Sequence, residues 1–308
     1  MQRNFNRQYR VRIGKNGAAG VELGRNNETT GRALRCQFSV EVGESVSSNT
    51  GKISIWNLAK ETLQLLEQED CLIELRAGYD NDIPVIMSGT VTCVSTSGDS
   101  ADKQTTIEFA DSFTSARDGT VSLSYSGSVS GKKIIEDCAV EIGCGVRYSK
   151  NVSFPDVKNF AFVGNGKTLI GKICKLANLR WSVQNGIVQI CTVDEPITTA
   201  AYKMSAETGL IGSPAPFFDS AQSSDKTSSS GSSSKKKSSS SSKKNTTKRK
   251  AKKGLEITYL LNGHIHVDDY IRMDSNEYKG NYRVSKIAFS GDTDGGDWAC
   301  KARIVEVK

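Results

Sequence analysis

The sequence predicts a mainly β, α+β protein: two antiparallel β regions flank a small α+β module, and one Ser/Lys-rich insertion stays unstructured. Three observations carry this expectation. Leu34, Cys36, Phe38, Val40 and Val42 alternate with Arg35, Gln37, Ser39 and Glu41, which is the period of a half-buried antiparallel strand with one wet face. Between 119 and 195 the apolar period changes twice to that of a helix. From Ser223 to Lys253 the only apolar residue is Ala251, too little to offset the entropy of ordering the segment.

A chain of 308 residues has room for two or three compact domains. No run of eighteen apolar residues occurs, so no membrane helix and no membrane insertion is expected. The basic start, Met1 to Arg10, has no apolar stretch behind it and does not read as a secretory signal. The eight cysteines are scattered, with no C-x-x-C and no zinc-ligand spacing. They read as buried, reduced thiols of a protein made in cytoplasm. Residues 221–253 hold ten Lys and one Arg against Asp225, a local charge of +10 (10 + 1 − 1). The whole chain carries +7, so the remainder sums to −3 (7 − 10): the folded part is mildly acidic and the basicity belongs to one segment.

Taken in order, Tyr9–Ile13 and Ala19–Leu23 read as short strands around a turn at Gly14–Gly17. After the alternating strand over 35–42, Ile53–Leu58 is a strand and Ala59–Glu69 a helix, with Asn57 placed to cap its first free N–H groups. Leu58, Thr62, Leu65 and Leu66 form its apolar stripe. Strands follow at Cys71–Tyr79, Pro84–Val91 and Thr105–Asp111, with Gly78 and Gly89 marking bends or bulges. Residues 1–118 therefore form the first β domain, a barrel or sandwich with an inserted helix.

Residues 119–195 form the α+β module. Ser130 is placed to cap a helix whose stripe is Ile134, Ile135, Cys138, Ala139 and Ile142, ending at Gly143. Phe160–Val163 is a short strand. A second helix over 168–177 turns Leu169, Ile170, Ile173 and Leu176 inward. Trp181–Gln184 and Ile187–Ile190 make a hairpin around Asn185-Gly186, a type I′ turn signal. After the 221–253 tract, strands recur at 255–261, 270–274, 282–289 and 297–307, where Trp298, Cys300, Ala302 and Ile304 share a face. This end is too short to stand alone, so it completes a sheet begun around 200–212, and 196–220 with 254–308 make the second β domain.

The order of these pieces resembles the baseplate hub proteins of phage tails. The resemblance runs through Asn57-Leu58, Ala77-Gly78-Tyr79, Ser88-Gly-Thr-Val91, Val163-Gly-Asn-Gly166, Trp181-Ser-Val-Gln184, Thr258-Tyr-Leu-Leu261, Gly280-Asn-Tyr-Arg-Val284 and Ser290-Gly-Asp-Thr293. It covers nearly all of the chain except 221–253, which departs from the family pattern. The resemblance implies two tail-tube-like β-barrels in one chain. Three chains would then form a homotrimeric ring of six barrels that adapts the tail tube to the central spike. It further implies a tail tube protein on one side, a spike protein on the other, DNA in the channel and a role in genome ejection. The place implied is the tail baseplate of the virion, with assembly in the host cytoplasm. The wet strand face of Arg35, Gln37, Ser39 and Glu41 is expected to line the channel or meet neighbours.

The chemical motifs are weak beside this pattern. Gly164-Asn-Gly-Lys-Thr168 precedes a helix, but Ala161 stands where a phosphate-binding loop needs its first Gly. His264-Ile-His266, on one strand face with Asp268 near, could offer two or three metal ligands, yet paired polar residues on a wet face are commoner. Asp292-Thr-Asp-Gly-Gly-Asp297 lacks the remaining ligands of a calcium loop and reads as a hairpin turn. No Ser/His/Asp or glycosidase-like constellation is forced by the sequence, so no enzyme activity and no cofactor is expected. The alternative reading is a nucleic-acid-binding module. Its candidate polyanion contacts are Lys235, Lys236, Lys237, Lys243, Lys244, Lys248, Arg249, Lys250, Lys252 and Lys253, acting by counterion release without aromatic stacking.

Overall fold

The structure, a computed structural model, describes residues 6–15, 17–24, 34–44, 49–98, 102–111, 119–193, 195–219 and 252–307. The first β region holds β1 (Arg7–Gly14), β2 (Val21–Gly24), β3 (Cys36–Gly43), β4 (Thr50–Trp56), helix α1 (Lys60–Leu66), β5 (Leu72–Tyr79), β6 (Val85–Ser97) and β7 (Gln104–Ala110). The middle module holds β8 (Thr120–Ser124), β9 (Ser128–Ser130), α2 (Gly131–Glu141), β10 (Gly145–Tyr148), β11 (Asp156–Lys158), β12 (Ala161–Asn165), α3 (Gly166–Leu176), β13 (Arg180–Gln184) and β14 (Ile187–Cys191). The last region holds β15 (Ala201–Met204), β16 (Leu210–Asp219), β17 (Lys252–Leu260), β18 (Tyr270–Asp274), β19 (Lys279–Asp292) and β20 (Trp298–Glu306). The protein is mainly β and α+β, as its periodicities predict.

The same strand order occurs twice. Spatially, five consecutive strands of the first region lie as β3-β4-β7-β6-β5, and five consecutive strands of the last region lie as β16-β17-β20-β19-β18. In each set the fourth strand in space is the long one. β6 pairs with β5 through its first half and with β7 through its second, with a bulge against β7 between Val91 and Cys93. β19 pairs along its length with β20, with a bulge between Val284 and Lys286, and gives Lys279–Arg283 to β18. A bulge lets a long strand turn from one sheet layer into the next. The two sets join where β19 and β3 run antiparallel from Lys286 opposite Gly43 to Asp292 opposite Gln37. The pairing is continuous from β16 at one end to β2 at the other.

Alternation decides the core. Cys36, Phe38 and Val40 of β3, Ile53 and Ile55 of β4, Ile287 and Phe289 of β19, and Trp298, Cys300, Ala302 and Ile304 of β20 are buried in one apolar cluster that spans both β regions. Each such Ile, Leu or Phe contributes about 1.5–3 kcal/mol by leaving water. Thr62 and Leu66 bury the α1 stripe, and Leu58 and Leu65 pack partly against the same cluster. The middle module has its own cluster, with Ile134, Ile135, Cys138 and Ala139 of α2 against Leu169, Ile170 and Ile173 of α3 and Val188 and Ile190 of β14.

Several local readings change. Asn57 does not cap α1; Ala59 is the N-cap residue, with no side-chain hydrogen bond. Asn57 instead has a left-handed backbone (φ 59°), donates to Asp102 and accepts the Lys103 amide, pinning the β6–β7 connection. Ser130 caps α2 as expected, while α3 starts two residues early because Asn165 accepts the Thr168 amide. Leu176 at the end of α3 points outward. Asn185 and Gly186 both have positive φ, as the hairpin turn requires. β10, which pairs parallel to β14, and the short strands β8, β9 and β11 have too little alternation to be seen beforehand. β17 begins at Lys252, inside the tract read as unstructured, because Asp219 and Phe218 of β16 pair with Lys252 and Lys253.

Candidate functional site

The described residues form a broad strand face and polar joints that hold the middle module beside it. Because β3 pairs with β19, the strands β6-β7-β4-β3-β19-β20-β17-β16 form one uninterrupted run. Their side chains directed away from the core include Ser39, Glu41, Lys52, Glu108, Lys286, Ser290, Lys301, Arg303 and Glu256. The charges on this face neutralise one another: Lys286 Nζ lies 2.7 Å from Glu41, Lys301 Nζ 2.7 Å from Glu256, Arg303 Nε 3.2 Å from Glu256 and Lys52 Nζ 3.7 Å from Glu108. Such half-exposed pairs add little stability each. Their effect is a face with little local charge, interspersed with Ser and Ala. Gln37, Ser39 and Glu41 are exposed on it as the alternation predicts. Arg35 precedes the strand, stacking over Trp56 (4.5 Å to the ring centre) and donating to Asp292 at 2.9 Å.

Two polar joints tie the three modules. In the first, Arg180 of β13 meets Asp268 (2.5 Å) and Glu44 (3.5 Å), and Arg283 of β19 meets Glu44 (2.6 Å) and Asp268 (3.3 Å). One residue comes from the β3–β4 connection of the first β region, one from the module and two from the last region. Arg180 also donates to the carbonyls of Thr192 and Glu195. Asp268 and Arg283 are almost fully buried. Burial raises the Asp268 carboxyl above its ordinary range, while Arg180 and Arg283 pull it back down. Two acids and two guanidinium groups balance, which is what lets charges sit this deep.

In the second joint the tip of the β13–β14 hairpin docks on the first β region. Asn49 donates to Asp111 at 2.6 Å and to Gln184 at 3.0 Å, and its Oδ1 accepts the Gly43 amide. Gln184 donates back to the Gly43 carbonyl, and Asn185 accepts the Ser88 amide. Burial pushes the Asp111 carboxyl up to about 6, against the downward pull of Asn49, the Asn185 and Gly186 amides and Lys167.

The chemical motifs come to rest elsewhere. His264 and His266 are not on a strand; they lie in the connection between β17 and β18, where a tight turn rather than a ladder sets their direction. His264 meets Asp82 at 2.8 Å, and the His266 amide donates to Asp269. Asp268 turns away from both into the arginine joint. Among the described residues no group of three or more His, Cys, Asp or Glu is arranged to hold a metal. Asp292 and Asp297 close the β19–β20 hairpin through a backbone hydrogen bond. Gly164–Thr168 forms a strand end and a helix cap. Seven cysteines are buried and Cys93 on β6 is exposed. Of the candidate polyanion contacts, Lys235, Lys236, Lys237, Lys243, Lys244, Lys248, Arg249 and Lys250 lie outside the described residues; Lys252 and Lys253 open β17, Lys253 with an exposed side chain. The joints themselves escape sequence reading, because Glu44, Arg180 and Arg283 are far apart in the chain and carry no motif.

Neither a family model nor a curated protein matches this chain. Solved structures do. A 43 kDa tail protein of prophage MuSo2 from Shewanella oneidensis is similar over 97% of this chain and 98% of its own, with a TM-score of 0.57 and 10% identity. A tail protein from Neisseria meningitidis MC58 is similar over 98% and 97%, with a TM-score of 0.58 and 8% identity. The E. coli protein c3393, a type VI secretion component described as similar to the phage T4 tail proteins gp27 and gp5, is similar over 91% of this chain and 76% of its own, with a TM-score of 0.53 and 7% identity. At these identities the likeness is one of fold: this chain has the fold of those tail proteins from end to end.

Proposed function

We propose that this chain is a structural subunit of a phage or phage-like tail, placed in the baseplate hub, where it forms a ring around the DNA channel and adapts the tail tube to the central spike. The observation that carries the reading is the end-to-end fold likeness to two tail proteins of nearly the same extent. The repeated strand order supports it further. A chain with two like modules presents two like units to a ring, so three copies can meet a six-fold tube on one side and a three-fold spike on the other.

In this reading the protein works by shape. The self-neutralised face of Ser39, Glu41, Lys52, Lys286 and Ser290 turns to the channel, where a wall of low net charge neither traps nor repels a passing polyanion. The arginine joint and the Asn49–Asp111 joint hold the middle module fixed to the outside of the run. The neighbours are a tube protein above and a spike protein below, and no catalytic step is assigned to any residue. Native mass measurement on the purified chain tests the ring: three copies per particle are expected, and a strictly single-copy species at every concentration contradicts it.

The charge of +10 over 221–253 favours a second role, contact with nucleic acid. Deleting 221–251 and measuring DNA affinity against salt separates the two. If the tract carries the contact, affinity and salt slope fall together; binding that survives the deletion rules the tract out.

A further inference from the structure

β1 pairs with β5 along its whole length, placing Gln8 opposite Gly78 and Arg10 opposite Arg76. Tyr9, Val11 and Ile13 take the core side, so Gln8 and Arg10 alternate onto the other face. After Tyr79 the chain doubles back: the Tyr79 amide donates to the Asp82 carbonyl and the Asp82 amide to the Tyr79 carbonyl. A Cβ at Gly78 would collide with that Asp82 carbonyl oxygen, so the missing side chain lets the returning segment lie across this face. Strand, turn and returning segment enclose a cavity of about 530 Å³ whose lining includes Gln8, Arg10, Arg76, Asp80 and Asp82.

The polar groups of this cavity are poorly served from within the chain. Gln8 is only 3% exposed, yet among the described residues its side-chain carbonyl accepts no hydrogen bond. A buried acceptor in this state costs free energy, and nearly all such atoms in proteins are paired. Arg10 and Arg76 are like charges directly opposite one another, which weakens the strand pair that carries them. Arg76 has Glu74 at 2.7 Å, whereas Arg10 reaches Glu22 at 3.7 Å, an acid that Arg12 holds at 2.7 Å. Asp80 has a left-handed backbone (φ 50°) and donates its amide to the Asn6 carbonyl. Among the described residues no hydrogen bond or ion pair holds its carboxyl. Asp82 lies 2.8 Å from His264 Nε2. With two guanidinium groups and two carboxyls in one lining, neither a simple anion nor a simple cation is favoured. A ligand with one charge of each sign is.

We propose that this cavity binds a free α-amino acid, its carboxylate gripped by Arg10 and Arg76 and its ammonium group donating to Gln8 Oε1 and Asp80. Guanidinium groups meet the two oxygens of a carboxylate with paired N–H donors. An ammonium group has three N–H donors and no acceptor, which suits a corner made of an amide carbonyl and a carboxylate. Gln8 and Arg10 stand two residues apart on one strand face, about 7 Å along it. The long arginine arms lean across that gap, so the two charges of a molecule that carries both on one carbon are within reach. The ligand's own side chain rests on Ile83 and Pro84, which also line the cavity. Binding gives Gln8 the donor it lacks and sets an anion between two repelling cations. The site lies on β1 and β5, beyond the eight-strand run, and does not depend on a place in a ring.

Titration calorimetry on the full chain tests the site, with glycine and the other common amino acids as ligands. At least one is expected to bind at a single site per chain. The N-acetyl form and the amide of the tightest ligand each lack one charge, and each is expected to bind about tenfold or more weakly. Gln8→Leu is expected to abolish binding without lowering Tm, since it removes a buried acceptor that has no donor. Arg10→Met is expected to weaken binding about tenfold or more. No heat with any amino acid overturns the site. An N-acetyl form that binds as tightly as its parent makes the cavity an anion site and overturns the proposal; an amide that does so makes it a cation site and overturns it equally. Full affinity in both Gln8→Leu and Arg10→Met places the ligand elsewhere and overturns the assignment.

Discussion

The ring of Phe109 on β7 lies over Gly51 on β4, its cross-strand partner, so closely that a Cβ at Gly51 would stand 2.3 Å from the ring's Cζ. The glycine leaves the space that the phenyl ring fills, in the middle of the first core. Gly51→Ala must push the ring out of its well, at a cost of about 1–3 kcal/mol. Thermal unfolding is expected to show a clear fall in Tm for Gly51→Ala, and a smaller one when Phe109→Leu is added. Equal falls in both backgrounds contradict the contact.

Arg283 is the least exposed cation of the arginine joint, between Glu44 and Asp268. Arg283→Met leaves two carboxylates to Arg180 alone in a desolvated place and is expected to cost about 3–5 kcal/mol. Urea unfolding measures it. The loss for Arg283→Met and Arg180→Leu together should differ from the sum of the two, because both serve the same acids. Additive losses mean that the residues do not act as one cluster.

Asp111 makes the second joint sensitive to pH. Its carboxyl is raised to about 6 from an ordinary 3.8 by burial, so the folded state holds the proton more tightly than the unfolded chain does. The protonated form therefore stabilises the fold fully below about pH 4, and this contribution of about 3 kcal/mol is lost as pH rises through 6. Asp111→Asn keeps a neutral side chain there. The stability difference between Asp111→Asn and the parent is expected to shift in favour of the variant from pH 4 to pH 7; a difference that stays flat contradicts the raised carboxyl.

Asn57 holds the β6–β7 connection rather than the helix that follows it. Asn57→Ala loses both bonds and strains a left-handed backbone, and a cost of about 1–2 kcal/mol is expected. Hydrogen exchange distinguishes the two roles. Faster exchange at Lys103 with α1 amides unchanged fits the observed geometry, whereas faster exchange confined to the first turn of α1 fits a cap.

Much of the fold was legible because burial on one face writes itself into period two. The alternation from Leu34 to Val42 and from Trp298 to Ile304 predicts β3 and β20, and Asn185-Gly186 predicts the hairpin turn. The β3–β19 joint was not legible, since it joins residues such as Ser39 and Ser290 that no local pattern relates. Nor does the duplication show in the residues: Gly51 and Leu255 hold matching places in the two sets and share no chemistry. The two histidines suggested a strand because polar and apolar residues alternate at His264-Ile-His266, yet Asn262 and Asp268 turn the chain there. Nothing local marks Arg180 and Arg283 as buried, since their burial depends on acids brought in from elsewhere.

Locating the chain in imaged tail particles decides whether it is a ring subunit acting by shape at the end of a tail. Three copies are expected to encircle the central channel between tube and spike, with the eight-strand face turned inward. Particles whose baseplate lacks the chain, or carry it with that face turned away from the channel, contradict it.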